Sequence, residues 1–205
     1  MESSKSAFVK TLSDNVNRPG VPDLFVYLEE EGFYTSPAST KYHGSYEGGL
    51  CDHSMNVYYS MLDELSFIYG GKDKWTQYHS LESATIVSLL HDVCKAGKYV
   101  KGTKNVKDPE TGRWDTVDCY NYNTDAFQMG HGALSVYRIQ NFIKLTDEEA
   151  QAIYWHMGAY DLSQYSTVGN LGESFAKNTL AFALHRADMM ATYVWENENL
   201  KGKLQ

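Results

Sequence analysis

An imidazole and a carboxylate stand side by side at His91-Asp92, inside the apolar helical stretch Ser88-Leu89-Leu90-His91-Asp92-Val93-Cys94-Lys95. Burying such a pair carries a large desolvation cost unless a cation or hydrogen bonds compensate it. Any fold that encloses this segment must therefore bring compensating groups to it. The chain offers them in an ordered scatter, with His53 before the pair and His131, His156 and Asp188 after it. A buried metal held among these six side chains would remove the cost. A lone histidine is usually an ordinary core or surface residue; six ligand-type side chains in this order are not so readily explained.

The segments that carry them have helical periodicity. Between Leu50 and Tyr69, the residues Leu50, Val57, Met61, Leu62, Leu65 and Ile68 recur at helical spacing, and His53 lies on the side of Val57, facing inward. A helix is predicted from about Leu81 to Ala96, with Ser80 as N-cap and Gly97 as the stop. On it, His91 and Lys95 point the same way, being four residues apart. His131 opens a helix whose apolar positions are Leu134, Val136, Tyr137, Ile139 and Phe142. Thr146-Asp147-Glu148-Glu149 is a capping box, followed by a buried stripe of Ala150, Ile153, Tyr154 and Met157, with His156 near the helix end. A polar loop is expected from Ala159 to Gly172. A last long helix then starts at about Ser174 and carries Asp188, and the charged tail from Glu196 reads as frayed.

Upstream, Ala7 to Leu12 form the core-facing part of a short helix, and a second helix begins near Pro22 and ends at Gly32. The stretch 33–49 is rich in Gly, Ser, Thr and Tyr and reads as a loop leading to His53; Tyr42, His43 and Tyr46 are its candidate substrate contacts. From Lys98 to about Asn123 the pattern alternates around Asp108-Pro109-Glu110-Thr111-Gly112, which predicts a β-hairpin serving either as a lid or as a subunit contact. The expected fold is mainly α with a short hairpin insertion around 98–123. It forms one domain over 1–205, with N-terminal helices in 1–47 and a ligand-bearing core in 48–195.

Three segments in the same order resemble the HD superfamily of metal-dependent phosphohydrolases. They are Gly48-Gly49-Leu50-Cys51-Asp52-His53, then Leu89-Leu90-His91-Asp92-Val93-Cys94-Lys95-Ala96-Gly97, then Leu184-His185-Arg186-Ala187-Asp188-Met189-Met190-Ala191-Thr192. The resemblance implies an HD-type helical bundle in which His53, His91, Asp92 and Asp188 hold one divalent transition metal. It also implies either a second ion at His131 and His156, bridged by Asp92, or a single ion with those two histidines contacting substrate. A mixed imidazole and carboxylate shell suits Mn, Fe, Co, Ni or Zn. The shell has no thiolate, which disfavours structural zinc.

The activity implied is hydrolysis of a nucleotide or another small phosphorylated substrate by metal-activated water, with Asp92 and Lys95 as catalytic residues. Two other readings stay open: a phosphodiesterase acting on nucleic-acid ends or cyclic nucleotides, and a di-iron oxygenase resembling inositol oxygenase. The cyclic-dinucleotide branch is disfavoured, because its Gly-Tyr-Pro motif and histidine doublet are missing and Met157 follows His156.

Other residues allow two readings each. His185 either contacts substrate or packs, and Arg186 either pairs with a phosphate or nucleobase or forms a surface salt bridge. Cys94 is a small buried hydrophobe or a ligand. Lys98, Lys101, Lys104 and Lys107 form a solvated face or a positive rim, and His79 reads as a surface residue. A net charge of −8 argues against coating extended nucleic acid. No apolar run approaches the roughly 20 residues that cross a bilayer, and Met1-Glu2-Ser3-Ser4-Lys5 is no secretory start. Three cysteines without CxxC spacing fit a reducing compartment, and a cytoplasmic location is expected.

Overall fold

The structure, a computed structural model, describes residues 3–72, 74–162, 168–197 and 200. The chain is mainly helical. Its helices are α1 (Ser4–Asn15), α2 (Val21–Glu30), α3 (Gly49–Tyr69) and α4 (Leu81–Leu90), then α5 (His131–Gln140), α6 (Asp147–Trp155), α7 (Val168–Lys177) and α8 (Thr179–Met190). Among the described residues one antiparallel hairpin, β1 (Tyr99–Lys107) and β2 (Trp114–Tyr122), interrupts them, with Tyr99 opposite Tyr122 and Lys107 opposite Trp114. The hairpin thus occupies the predicted insertion. Among the described residues no helix is long and apolar enough to cross a membrane.

Helix α4 is the axis of the packing. Every residue from Ala84 to Leu90 is buried, as expected for a helix apolar all round. It packs on α1, α3 and α6, while α3 and α6 both pack on α8, and α5 lies against α6. Phe8, Leu12, Leu24, Leu28, Leu50, Met61, Leu65, Ile86 and Leu184 are fully enclosed in this core. Arg18 fastens the N-terminal ends of two core helices: it forms two hydrogen bonds to Glu149 on α6, at 2.6 and 2.7 Å, and reaches Glu82 on α4 at 3.2 Å.

Four expected boundaries shift. The helix predicted to Ala96 ends at Leu90, and the chain turns through Asp92 (φ −107°, ψ 18°) into a 3-10 turn at Val93–Lys95. Cys94 N–H donates to Ser135 and Arg138 donates to the carbonyls of Val93 and Ala96, so partners on α5 take over the backbone groups that the helix would have paired. The helix from His131 stops at Gln140, short of Phe142. The capping box at Thr146 and Glu149 forms as predicted, but the buried face of α6 is Glu149, Ala152, Ile153 and Trp155, whereas Tyr154 is 37% exposed. Drawing Glu149 inward to Arg18 sets this rotation.

The predicted last helix is two helices, broken at Asn178. Its side chain caps α8 at Ala181 N–H and also donates to Glu148 O and Gln151. The predicted loop 159–172 is a 3-10 turn at Gly158–Asp161 followed, from Val168, by α7; its residues 163–167 lie outside the described residues. The predicted frayed tail begins with Glu196, which is firmly engaged, while 198–199 and 201–205 lie outside the described residues.

Candidate metal centre

The six ligand-type residues come from five places in the fold. His53 projects from the second turn of α3. The helix can start there because Gly49 passes against the loop: a Cβ on Gly49 would lie 2.1 Å from the Gly44 carbonyl oxygen. His91 and His156 are the residues at which α4 and α6 end. His131 begins α5, and α5 approaches α6 closely because of Gly132, where a Cβ would lie 2.2 Å from the Tyr154 carbonyl. Asp188 is near the end of α8, and Asp92 sits in the turn after α4.

Asp92 is the hub. Its Oδ1 lies 2.7 Å from His131 Nε2 and 3.5 Å from His156 Nε2, and its Oδ2 lies 3.5 Å from His91 Nε2 and 3.7 Å from His53 Nε2. Asp188 Oδ1 is 3.3 Å from His53 Nε2. His53, His91, Asp92 and His156 are at most 2% exposed. Within this cluster, the ligand atoms of His53, His91 and Asp92, and those of His91, His156 and Asp188, lie close enough to share a metal ion.

The orientation of three rings shows what the centre is built to hold. Each turns its outer nitrogen to an acceptor: His91 Nδ1–H donates to Ser88 O at 2.8 Å, His156 Nδ1–H to Ile153 O at 2.6 Å, and His53 Nδ1–H to Glu196 at 2.9 Å. Such outer partners fix the tautomer and aim the Nε2 lone pair inward. Two of these lone pairs, on His53 and His91, face each other at 3.3 Å, and His156 Nε2 is buried with no hydrogen-bond partner. Acceptors converging on one buried point need a cation. Burial alone would lower the His53 imidazole, yet Asp188 and Glu196 outweigh it and raise it to about 10, so that a proton on Nε2 supplies the positive charge there unless a metal displaces it. Burial would raise the Asp92 carboxyl, but Lys95 and the imidazoles of His91 and His131 hold it well below the usual range. The donor set therefore fits a divalent metal bound by nitrogen and oxygen.

Lys95 reaches the centre, although not by helical spacing from His91: the 3-10 turn brings its ammonium to 2.6 Å from Asp92 Oδ2. Cys94 is buried with its sulfur 3.3 Å from His131 Nδ1; burial pushes its thiol up to about 12, and the ligand atoms of Asp92, Cys94 and His131 also lie close enough to share an ion. A cavity of about 520 Å³ opens onto the cluster, lined by Lys95, His156 and Asp188 and by Tyr42, His43 and His185. The His43 ring lies 4.8 Å from that of His53, tilted by 42°, and burial, with His53 and Lys95 adding to it, lowers its imidazole to about 4.

Tyr46 and Arg186 do not line this cavity. Tyr46 donates to Asp52 at 2.7 Å, and Arg186 pairs with Glu64 at 3.1 Å, the salt-bridge alternative of its two readings. Of the other lysines, Lys101 pairs with Glu47 at the exposed surface. His79 is half-buried and shares a 2.9 Å hydrogen bond with Tyr69.

The residue that sequence reasoning missed is Glu196. It follows a π-helical turn at Ala191–Trp195, a rare form that concentrates at functional sites. Asn56 on α3 donates to its carboxylate at 3.0 Å and Trp195 donates to Ser60 at 3.0 Å, pinning the turn to the helix that carries His53.

Comparison with known proteins gives one informative match. The chain is 30% identical over 106 residues to the dihydroneopterin 2',3'-cyclic phosphate phosphodiesterase of Methanocaldococcus jannaschii. The aligned part is 50% of this chain but only 35% of that protein. No family model and no solved structure matches.

Proposed function

We propose that the protein is a metal-dependent phosphodiesterase of the HD superfamily, acting on a small phosphorylated substrate such as a cyclic phosphate ester. The observation that carries this reading is the convergence of inward Nε2 lone pairs around Asp92, each ring fixed from behind by an acceptor. The similarity to a cyclic phosphate phosphodiesterase supports the reaction class. His53, His91, Asp92 and Asp188 would hold one divalent ion, and His131 and His156, with Asp92 as bridge, a second. Such ions supply an acidified water and Lewis-acid neutralisation of phosphate oxygens.

The protein's own groups then have distinct tasks. Lys95 stands at the cavity wall with its ammonium on Asp92, where positive charge favours a substrate phosphate and the charge that develops on it. His43 lines the same wall; its Nε2 is buried without a partner, and a neutral imidazole there can hydrogen-bond a phosphate oxygen. Water adds to phosphorus, one ester P–O bond breaks, the leaving alkoxide oxygen takes up the proton that the water gives up, and a cyclic diester becomes a monoester with a free hydroxyl. The test is hydrolysis of a 2',3'-cyclic phosphate by protein stripped with chelator and reloaded with Mn²⁺. Activity should vanish on stripping, return on reloading, and be lost in Asp92→Asn. Unchanged turnover in stripped protein or in Asp92→Asn would refute the proposal.

A further inference from the structure

Helix α8 reaches the cluster twice. Asp188 meets it directly, with Oδ1 3.3 Å from His53 Nε2. His185, three residues earlier on the same helix, meets it from outside: its Nδ1–H donates to the His156 carbonyl at 2.7 Å. Side chains three apart on a helix share a face, so one face of α8 serves both.

The carbonyl that His185 holds is a particular one. His156 is the residue at which α6 ends, and the carbonyls of a last helical turn have no following turn to pair them. The chain leaves the helix through Gly158, whose φ is +56°. The bond from His156 Nδ1–H to Ile153 O lies within α6, so it orients the ring on its own helix and does nothing to fix that helix end against α8. The bond from His185 crosses between the two helices at that end. His156 Nε2 is fully buried without a partner, so the backbone that carries it decides where its lone pair points.

The His185 ring is itself held in place. Phe175 on α7 stacks on it, with centroids 5.3 Å apart and planes inclined by 28°. Gly158 closes against its edge, where a Cβ would lie 2.6 Å from His185 Cε1. A ring that only packed would use the stack and not the donor. A ring kept for substrate would not commit Nδ1–H to the main chain.

We infer that His185 is a positioning residue of the metal centre: by holding the last carbonyl of α6 it fixes His156 relative to α8, and with it the second ion. The inference rests on the two-ion reading of the centre. It is tested on the full chain, stripped and then titrated with Mn²⁺ against a chromophoric chelator. Wild type should bind in two steps, of which His131→Ala lacks the one that belongs to His131 and His156.

His185→Phe keeps a ring against Phe175 and loses the donor. It should weaken that step about 10- to 100-fold and leave the other within about twofold. His185→Asn, whose carboxamide nitrogen stands in for Nδ1, should recover most of the affinity. Circular dichroism establishes that each variant is folded. If His185→Phe is not, Phe175→Leu, which removes the stacked ring behind the donor, should weaken the same step. Two steps unmoved in the variant, equal weakening in His185→Phe and His185→Asn, or both steps falling together would overturn the inference. A wild type with fewer than two steps would refute the second site and the inference with it. Two steps in a protein that hydrolyses no phosphodiester would leave the role of His185 standing and refute the phosphodiesterase proposal instead.

Discussion

Arg18→Met should unfold the protein at a much lower temperature, because it strands a buried carboxylate. The Glu149 side chain is fully enclosed, and Arg18 is its bidentate partner, with only 15% of the guanidinium side chain exposed. Removing one member of a buried ion pair costs about 3–5 kcal/mol, since the remaining charge loses its compensation. For a chain of this size each kcal/mol moves Tm by about 2–4 °C, so the expected drop is roughly 6–20 °C.

The pH dependence follows from the direction of the shift. Burial would raise the Glu149 carboxyl, but Arg18 and the Thr146 amide bring it below its ordinary value. A carboxyl lowered on folding contributes its stability in full above the unfolded pKa of about 4.3 and loses it as pH falls through the folded pKa. The deficit of Arg18→Met should therefore be full at pH 7 and shrink on acidification, first as the stranded Glu149, raised by burial once Arg18 is gone, takes up a proton, and then as wild type loses its own contribution below about pH 4.3. Thermal denaturation followed by circular dichroism measures both effects. Adding Glu149→Gln to Arg18→Met should recover part of the loss at pH 7, because a neutral amide replaces the stranded charge. A loss under about 1 kcal/mol at pH 7, or a double variant no more stable than the single one, would refute the reasoning.

Other perturbations test the centre itself. Glu196→Ala removes the acceptor behind His53 and should weaken metal affinity about 10- to 100-fold with the fold retained, as read by competition with a chromophoric chelator. Lys95→Met should lower phosphodiester hydrolysis by roughly 100-fold or more while metal content stays near wild type; unchanged turnover would make Lys95 only a partner of Asp92. Gly132→Ala pushes a Cβ into the Tyr154 carbonyl, so α5 must move off α6. It should cost about 1–3 kcal/mol in denaturant unfolding and reduce occupancy at His131 and His156.

The clustering of these six side chains was legible because each residue sits in a segment with its own local signal. His53 follows a Gly-Gly-Leu turn and shares a face with Val57, and the capping box at Thr146 marks the helix that ends at His156. The hairpin announced itself by alternation and a Pro/Gly turn. What escaped were features made by partners far away in the chain. Glu196 lies in a charged, aperiodic tail, and its partner His53 is 143 residues distant. Arg18 and Glu149 are 131 residues apart, and their pairing rotates α6 away from the face that periodicity alone selects. The end of α4 at Leu90 is set by Ser135 and Arg138 on another helix, which local propensity cannot report. The break at Asn178 depends in the same way on its carboxamide meeting both α8 and α6.

The most direct test is anomalous diffraction from crystals of the Mn²⁺-loaded protein, collected on either side of the manganese edge. The account predicts two peaks flanking the Asp92 carboxylate, about 3.5–4 Å apart, one among His53, His91 and Asp188 and the other beside His131 and His156. A single peak would assign His131 and His156 to substrate and refute the second site. No peak at the cluster, or manganese bound only elsewhere, would contradict the claim that these six side chains form a metal centre.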